Sequence, residues 1–443
     1  MILIYTQKDS NRLRYSLDFI FEEICGVEYT VTHSRDEFSS FNGARINYSL
    51  EFFPGSIFIP QAELLFETSI KEQDLHEGSM DGIQIIFESR EIPGQETGEF
   101  FPFDIFAATF YLISRYEEYL PHEKDMYGRY AHTNSFAYRK DCLHLPLVNI
   151  WIMEFAKRLQ EKFPSLILKF PAFSFIPTYD IDIAYAYRGK GLVRNAGGLV
   201  KSALQGKGAA IKNGVQSILL KKQDPFDVYA ELDELHQRYG LQPFYFFLVA
   251  AKNGLYDKNI LPTRKNLVKL IKTTSEKYII GLHPSWQSGD AEHLLAEEKA
   301  LLGKVSGKEI TNSRQHYIRF DLPDGYRQLL DAGITSDYSM GYGSINGFRA
   351  SVATPYYWFD IKKDEVTNLK IFPFCYMEAN SFYEQKYSAE QAYEEMVHFY
   401  NTCKSINGTL IIIWHNHMLG TDKMFAGWKE VYFNFLKFID GEK

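Results

Sequence analysis

The sequence has no apolar run long enough to cross a bilayer, no excess of positive charge, no paired cysteine spacing, no internal repeat and no low-complexity tail. Its four cysteines, Cys25, Cys142, Cys375 and Cys403, are scattered along 443 residues. That excludes a zinc knuckle and a disulfide framework and fits a reducing compartment. A net charge of −8 argues against a general nucleic-acid binder. The opening residues, Met1 to Lys8, lack the basic start and long apolar stretch of a secretory signal and read as a first strand. The expectation is therefore a cytoplasmic protein. What is present is ordinary globular material, 45% hydrophobic and 23% charged, enough for two or three domains. Tyr (30) and Phe (35) are numerous, and core filling is the default reading for them.

Residues 1–170 read as a mixed α/β domain. Strands are expected at Met1–Tyr5, Glu28–Thr32, Ser56–Ile59 and Gly82–Phe87, and helices at Arg12–Ile24, Phe103–Tyr119 and Pro146–Phe163. No catalytic constellation stands out; the polar stretch His122–His144 reads either as a segment near a site or as loop, with loop preferred. Residues 171–443 alternate apolar strands with amphipathic helices, the pattern of a parallel sheet covered by helices. About seven such units suggest a closed or nearly closed β/α barrel. Within this half, Gly189–Gln223 holds Lys190, Arg194, Lys201, Lys207, Lys212, Lys221 and Lys222 and no acid. Such a basic insertion suits anionic lipid headgroups or an anionic substrate.

Chemistry is expected where barrel strands end. The stretch Phe175-Ile176-Pro177-Thr178-Tyr179-Asp180-Ile181-Asp182 stops on two acids that alternation puts on one face. Two carboxylates so close call for a cation or a shared proton. His283, Arg349, Glu378, His415 and His417 fall at or near other strand ends, and His316 at the start of a strand over His316–Phe320. Two histidines and an acid suit Zn²⁺ or another divalent ion.

In order, Thr178-Tyr179-Asp180-Ile181-Asp182, Gly281-Leu282-His283-Pro284-Ser285, Gly347-Phe348-Arg349 and Ile413-Trp414-His415 resemble the motifs of polysaccharide deacetylases, the NodB-like enzymes of carbohydrate esterase family four. The resemblance covers residues 171–443. The first 170 residues, notably Arg115-Tyr116-Glu117-Glu118, resemble an uncharacterised bacterial domain found ahead of such domains. The resemblance implies a distorted (β/α)₇ barrel preceded by a smaller mixed α/β domain. It also implies that Asp180 is the catalytic base, Arg349 the arginine that orients it and His415 the general acid, with Asp182 and His283 as metal ligands. The chain departs from the family twice. The family's second metal histidine is replaced by Gln287, so the third ligand is expected to be His316 or Gln287, and imidazole is the better zinc donor. The arginine motif continues with Ala350-Ser351 in place of proline, so the substrate-facing wall should differ.

The function implied is metal-dependent removal of N-acetyl groups from a saccharide; Trp286 and Tyr342 read equally as platforms for a sugar ring or as core. A cytoplasmic location would make the substrate a glycan precursor, such as a lipid-linked saccharide met at an anionic membrane surface. The runner-up is a non-catalytic carbohydrate-binding or scaffold protein on a deacetylase-like barrel, motivated by the missing histidine. A different metal hydrolase, acting on a cyclic amide or a phosphoester, ranks third.

Overall fold

The computed structural model describes residues 1–89, 100–188 and 224–442, so the basic insertion Gly189–Gln223 lies outside the described residues. The chain begins with a parallel four-stranded sheet of order β2-β1-β3-β4, formed by β1 (Ile2–Thr6), β2 (Tyr29–Thr32), β3 (Ala44–Tyr48) and β4 (Ile57–Phe58). A small hairpin of β5 (Gly78–Met80) and β6 (Ile83–Ile85) follows.

The amphipathic helix expected over Phe103–Tyr119 is shorter and is buried on every face. Asp104 caps it, accepting from the backbone N–H groups of Phe106 and Ala107, both at 3.0 Å. The helix runs Ile105–Ile113 and every residue in it is buried. Arg115 then adopts a left-handed backbone, φ 55°, and a 3₁₀ turn follows over Tyr116–Tyr119. That break turns Glu117 and Glu118 into the interior.

The second sheet has nine strands. They are β7 (Ser174–Ile181), β8 (Phe244–Leu248), β9 (Ile279–His283), β10 (Asn312–Ser313), β11 (Ser336–Asp337), β12 (Tyr356–Asp360), β13 (Glu365–Ile371), β14 (Tyr376–Met377) and β15 (Thr409–His415). Their order is β12-β13-β11-β10-β9-β8-β7-β15-β14. All neighbours pair in parallel except β12 and β13, which are antiparallel. The order is linear, with no pairing between its two ends among the described residues, so the expected closed or nearly closed β/α barrel takes the form of a curled α/β sheet of nine strands. The adjacent strands β8, β7 and β15 are apolar and largely buried because both faces of the sheet are covered there.

The two halves share one hydrophobic core. Tyr15 and Phe110 pack on Phe359 with ring centroids 5.1 and 5.2 Å apart. The helix Leu147–Lys162 docks on the segment after Arg349, where Val148 N–H donates to the Ser351 carbonyl at 3.0 Å. This docking leaves the segment Gly347-Phe348-Arg349 outside any strand. Its backbone bonds to the first half instead, with Phe348 N–H on the Leu143 carbonyl at 2.8 Å. Gly347 sits at φ +140°, and a Cβ there would lie 2.6 Å from the Leu143 side chain.

Candidate active site and metal centre

Register brings the acids and histidines together. Asp180 on β7 pairs opposite His415 on β15, and on the other side β8 aligns Leu248 with His283 of β9. The C-terminal ends of these strands open into a cavity of about 420 Å³, whose lining includes Asp180, Asp182, His283, His316, His415 and His417. That size suits a small ligand or the end of a larger one.

Asp182, His283 and His316 form the cluster able to hold an ion, with one donor atom from each, all within 4.8 Å of one another. His283 Nε2 lies 3.1 Å from Asp182 Oδ1 and His316 Nε2 lies 3.5 Å from Asp182 Oδ2. The short approach to Oδ1 lacks hydrogen-bond geometry, and Oδ1 is a buried oxygen without a hydrogen-bond partner. Both imidazoles are oriented from behind. His283 Nδ1 meets the Arg314 carbonyl at 2.5 Å and His316 Nδ1 meets Asp257 Oδ1 at 2.9 Å. A ring that donates from Nδ1 offers the Nε2 lone pair, and this outer-shell arrangement is the one metal-binding histidines use. The donor set of one carboxylate and two such imidazoles therefore fits a divalent cation of the zinc type.

The charges agree with that fit. Burial works against ionisation of Asp182, but the His316 and His415 imidazoles outweigh it and hold its carboxyl well below the usual range. Burial likewise opposes charging His316, yet Asp182 and Asp257 push it up to about 9. The cluster thus gathers positive charge around Asp182, and a cation would supply it in place of protons.

His316 does not begin a strand. It heads a 3₁₀ turn, His316–Ile318, after the two-residue strand β10. Gln287 takes no place in the cavity. Its Nε2 donates to Asp257 Oδ2 at 3.1 Å and to the Lys252 carbonyl at 3.2 Å, so it steadies the acid behind His316. Of the two candidates for the third donor, the geometry thus brings His316 to Asp182 and His283.

Arg349 is the clear correction. It does not reach Asp180. It forms a two-point pair with Glu118, at 2.8 and 2.6 Å, because the loop carrying it is docked on the first half of the chain. The guanidinium on Asp180 belongs to Arg314, with Nη1 2.8 Å from Asp180 Oδ1 and 2.7 Å from Thr178 Oγ1. Arg314 is fully buried and also stacks on Phe246, 4.4 Å from the ring centroid. Nothing in the sequence pattern flags Arg314, since it follows a strand too short to show periodicity. If Arg314 aims Asp180, Arg314→Met should cut turnover by about 10²-fold through misplacement of that acid. Arg349→Met should instead act on stability, and denaturation curves beside rate measurements on the two variants separate the roles.

His415 Nε2 lies 3.5 Å from Asp182 Oδ2. Its Nδ1 and its backbone N–H both reach Glu378 Oε1, at 2.8 and 2.6 Å. Burial would keep His415 neutral, but Glu378, then Asp182, raise it to about 10. His417 is its opposite, pushed down to about 3 by burial and by the His415 charge. Tyr342 is buried against Arg349, and Trp286 stacks on Tyr256 with centroids 4.0 Å apart. The rings that line the cavity are Tyr127, Tyr256, Tyr317 and Tyr383. Tyr127 comes from the His122–His144 stretch, so that stretch borders the site and is more than a connecting loop.

Asp182 and His283 at strand ends and His316 on the turn after β10 thus gather beside Asp180 and His415 at one edge of a mainly parallel α/β sheet. Residues 2–164 match the model of a family of unknown function, DUF7033. No curated protein matches the chain. Among solved structures the chain is similar to a putative polysaccharide deacetylase from Mycobacterium smegmatis, at 12% identity and TM-score 0.39, covering 61% of this chain and 84% of that one. A probable polysaccharide deacetylase from Pseudomonas aeruginosa PAO1 gives 12% identity and TM-score 0.39, covering 61% and 85%. An allantoinase gives 11% identity and TM-score 0.40, covering 61% and 84%. No helix among the described residues is long and apolar enough to cross a membrane.

Proposed function

We propose that this protein is a metal-dependent hydrolase that removes N-acetyl groups from a saccharide, free or lipid-linked. The observation that carries the reading is the meeting of Asp182, His283 and His316 in one cavity with Asp180 and His415 beside them. Three of the four quoted motifs, those carrying Asp180 and Asp182, His283, and His415, line the cavity, and their resemblance to polysaccharide deacetylases supplies the reaction class.

Amide hydrolysis needs an activated water, a stabilised oxyanion and a proton for the departing nitrogen. A divalent cation such as Zn²⁺, held by Asp182, His283 and His316, would polarise the acetyl carbonyl and make bound water more acidic. Asp180 takes the proton of the attacking water. Arg314 occupies its Oδ1 and aims the carboxylate, while Oδ2 faces the ligand side, 3.9 Å from His283 Nε2. His415 gives its proton from Nε2 to the leaving amine, and Glu378 on Nδ1 holds the ring protonated and in place. The paired roles follow from environment, an acid aimed by an arginine and an imidazolium kept charged by a carboxylate.

The test is acetate release from an N-acetylated oligosaccharide by purified protein. Activity is expected to disappear on chelation and to return with added zinc. A protein that binds no divalent ion, and forms no site when zinc is added, would instead support the non-catalytic scaffold.

A further inference from the structure

The turn that carries His316 is held in a backbone conformation that its residues do not favour. Tyr317 and Ile318 both have positive φ, +59° and +55°, and neither is glycine. Bulky side chains enter that region only where the surroundings over-determine it. The restraint on the Tyr317 carbonyl comes from the other half of the chain, where Arg129 Nη1 donates to it at 2.7 Å.

Arg129 is itself built into place. Asp125 Oδ2 accepts from its Nε at 2.7 Å, and Asp125 Oδ1 accepts from the backbone N–H groups of Tyr127 and Arg129 at 2.9 and 3.0 Å. The guanidinium stacks on Tyr127, 4.8 Å from the ring centroid, and Tyr127 in turn packs on Tyr317 at 5.4 Å. The second half makes room for it. A Cβ at Gly343 would sit 1.9 Å from Arg129 Nη1 and 3.0 Å from the Tyr317 carbonyl oxygen. Glycine at 343 is therefore a condition for the Arg129–Tyr317 contact.

We infer that Arg129 is a positioning residue for the metal centre, and that the region matching the family of unknown function works by holding His316 in its ligating pose. The inference rests on the metal reading above. It gives that region a task at the site without a reaction of its own. Arg129 lines the cavity, and its bond to the Tyr317 carbonyl is the contact that bears on the ligand. It acts on the backbone adjoining one ligand, while Asp257 and Gln287 fix the ring from the other side.

The experiment measures zinc affinity by competition with a chromophoric chelator, together with thermal melts, on the full chain. Arg129→Met is expected to weaken zinc by about 10–100-fold, the usual loss when an outer-shell partner is removed. Lys124→Ala, which removes only an exposed ion pair with Asp321 from the same turn, should keep the original affinity. If Arg129→Met does not fold, Asp125→Asn, which loosens Arg129 and leaves its charge, is expected to weaken zinc in the same direction. Unaltered zinc affinity in a folded Arg129→Met, or in Asp125→Asn where that is the readable variant, overturns the inference alone. Failure of the unsubstituted protein to bind zinc overturns the metal reading and this inference with it.

Discussion

Replacing Asp180 with Asn is expected to lower hydrolysis by about 10²–10⁴-fold, the usual worth of a positioned general base, and to leave zinc bound. The two halves of that outcome separate Asp180 from Asp182. The cluster able to hold an ion is Asp182, His283 and His316, while Asp180 stands 3.9 Å from the nearest of those imidazole nitrogens and is committed through Oδ1 to Arg314. An amide at 180 can still accept from Arg314 but cannot take a proton from water. Asp182→Asn should behave differently, losing metal and rate together, because a neutral oxygen is a much poorer donor to a divalent cation. Rates measured beside metal content decide the matter. Full activity in Asp180→Asn, or loss of its metal, would sink the assignment of the base.

The largest stability effect is expected at Glu118. Its carboxylate is buried between Arg115, at 2.7 Å, and Arg349, at 2.6 Å. Burial alone would raise its pKa, but the two guanidinium groups, Arg349 first, draw it down to about 2. Glu118→Gln leaves Arg349 without its carboxylate in a dry interior and Arg115 with only Glu117, at 3.5 Å, which should cost about 3–5 kcal/mol. Since Glu118 joins residues 231 positions apart, the loss should loosen the contact between the halves and not a single helix. The pH dependence has a definite sign. A carboxyl whose folded pKa lies below its ordinary 4.5 stabilises the fold fully above pH 4.5, and that contribution is lost as pH falls towards 2. The shift corresponds to about 3 kcal/mol. Glu118→Gln should therefore flatten the acid limb of the stability curve in denaturant titrations between pH 5 and 2. An unchanged acid limb would show that the carboxylate is not held as described.

Asp180, Asp182, His283 and His415 were legible because they terminate long, plainly patterned strands. The runs in β7, β9 and β15 leave little doubt about where each stops, and parallel packing puts those ends on one edge. Arg349 misled for the opposite reason. Its Gly-Phe-Arg motif resembles a strand end, yet the segment's hydrogen bonds go to the helix and loop of the first half, and its side chain follows Glu118. Arg314 and Asp257 carried no local signal, one standing after a two-residue strand and the other in a loop. The preferred reading of His122–His144 as loop was too bland, since Tyr127 and Arg129 border the cavity.

The amino-acid order by itself determined the α/β class, the parallel sheet and the acid–histidine character of its edge, since those follow from local periodicity and from which residues end each run. Only the tertiary structure decided which arginine meets Asp180, how His316 joins His283 and Asp182, and that the first half braces the second. Those choices are made by contacts between groups far apart in the chain, such as Arg314 to Asp180 and Arg129 to the Tyr317 carbonyl. Buried charges and carbonyls must find partners wherever packing provides them, and no local pattern records where that will be.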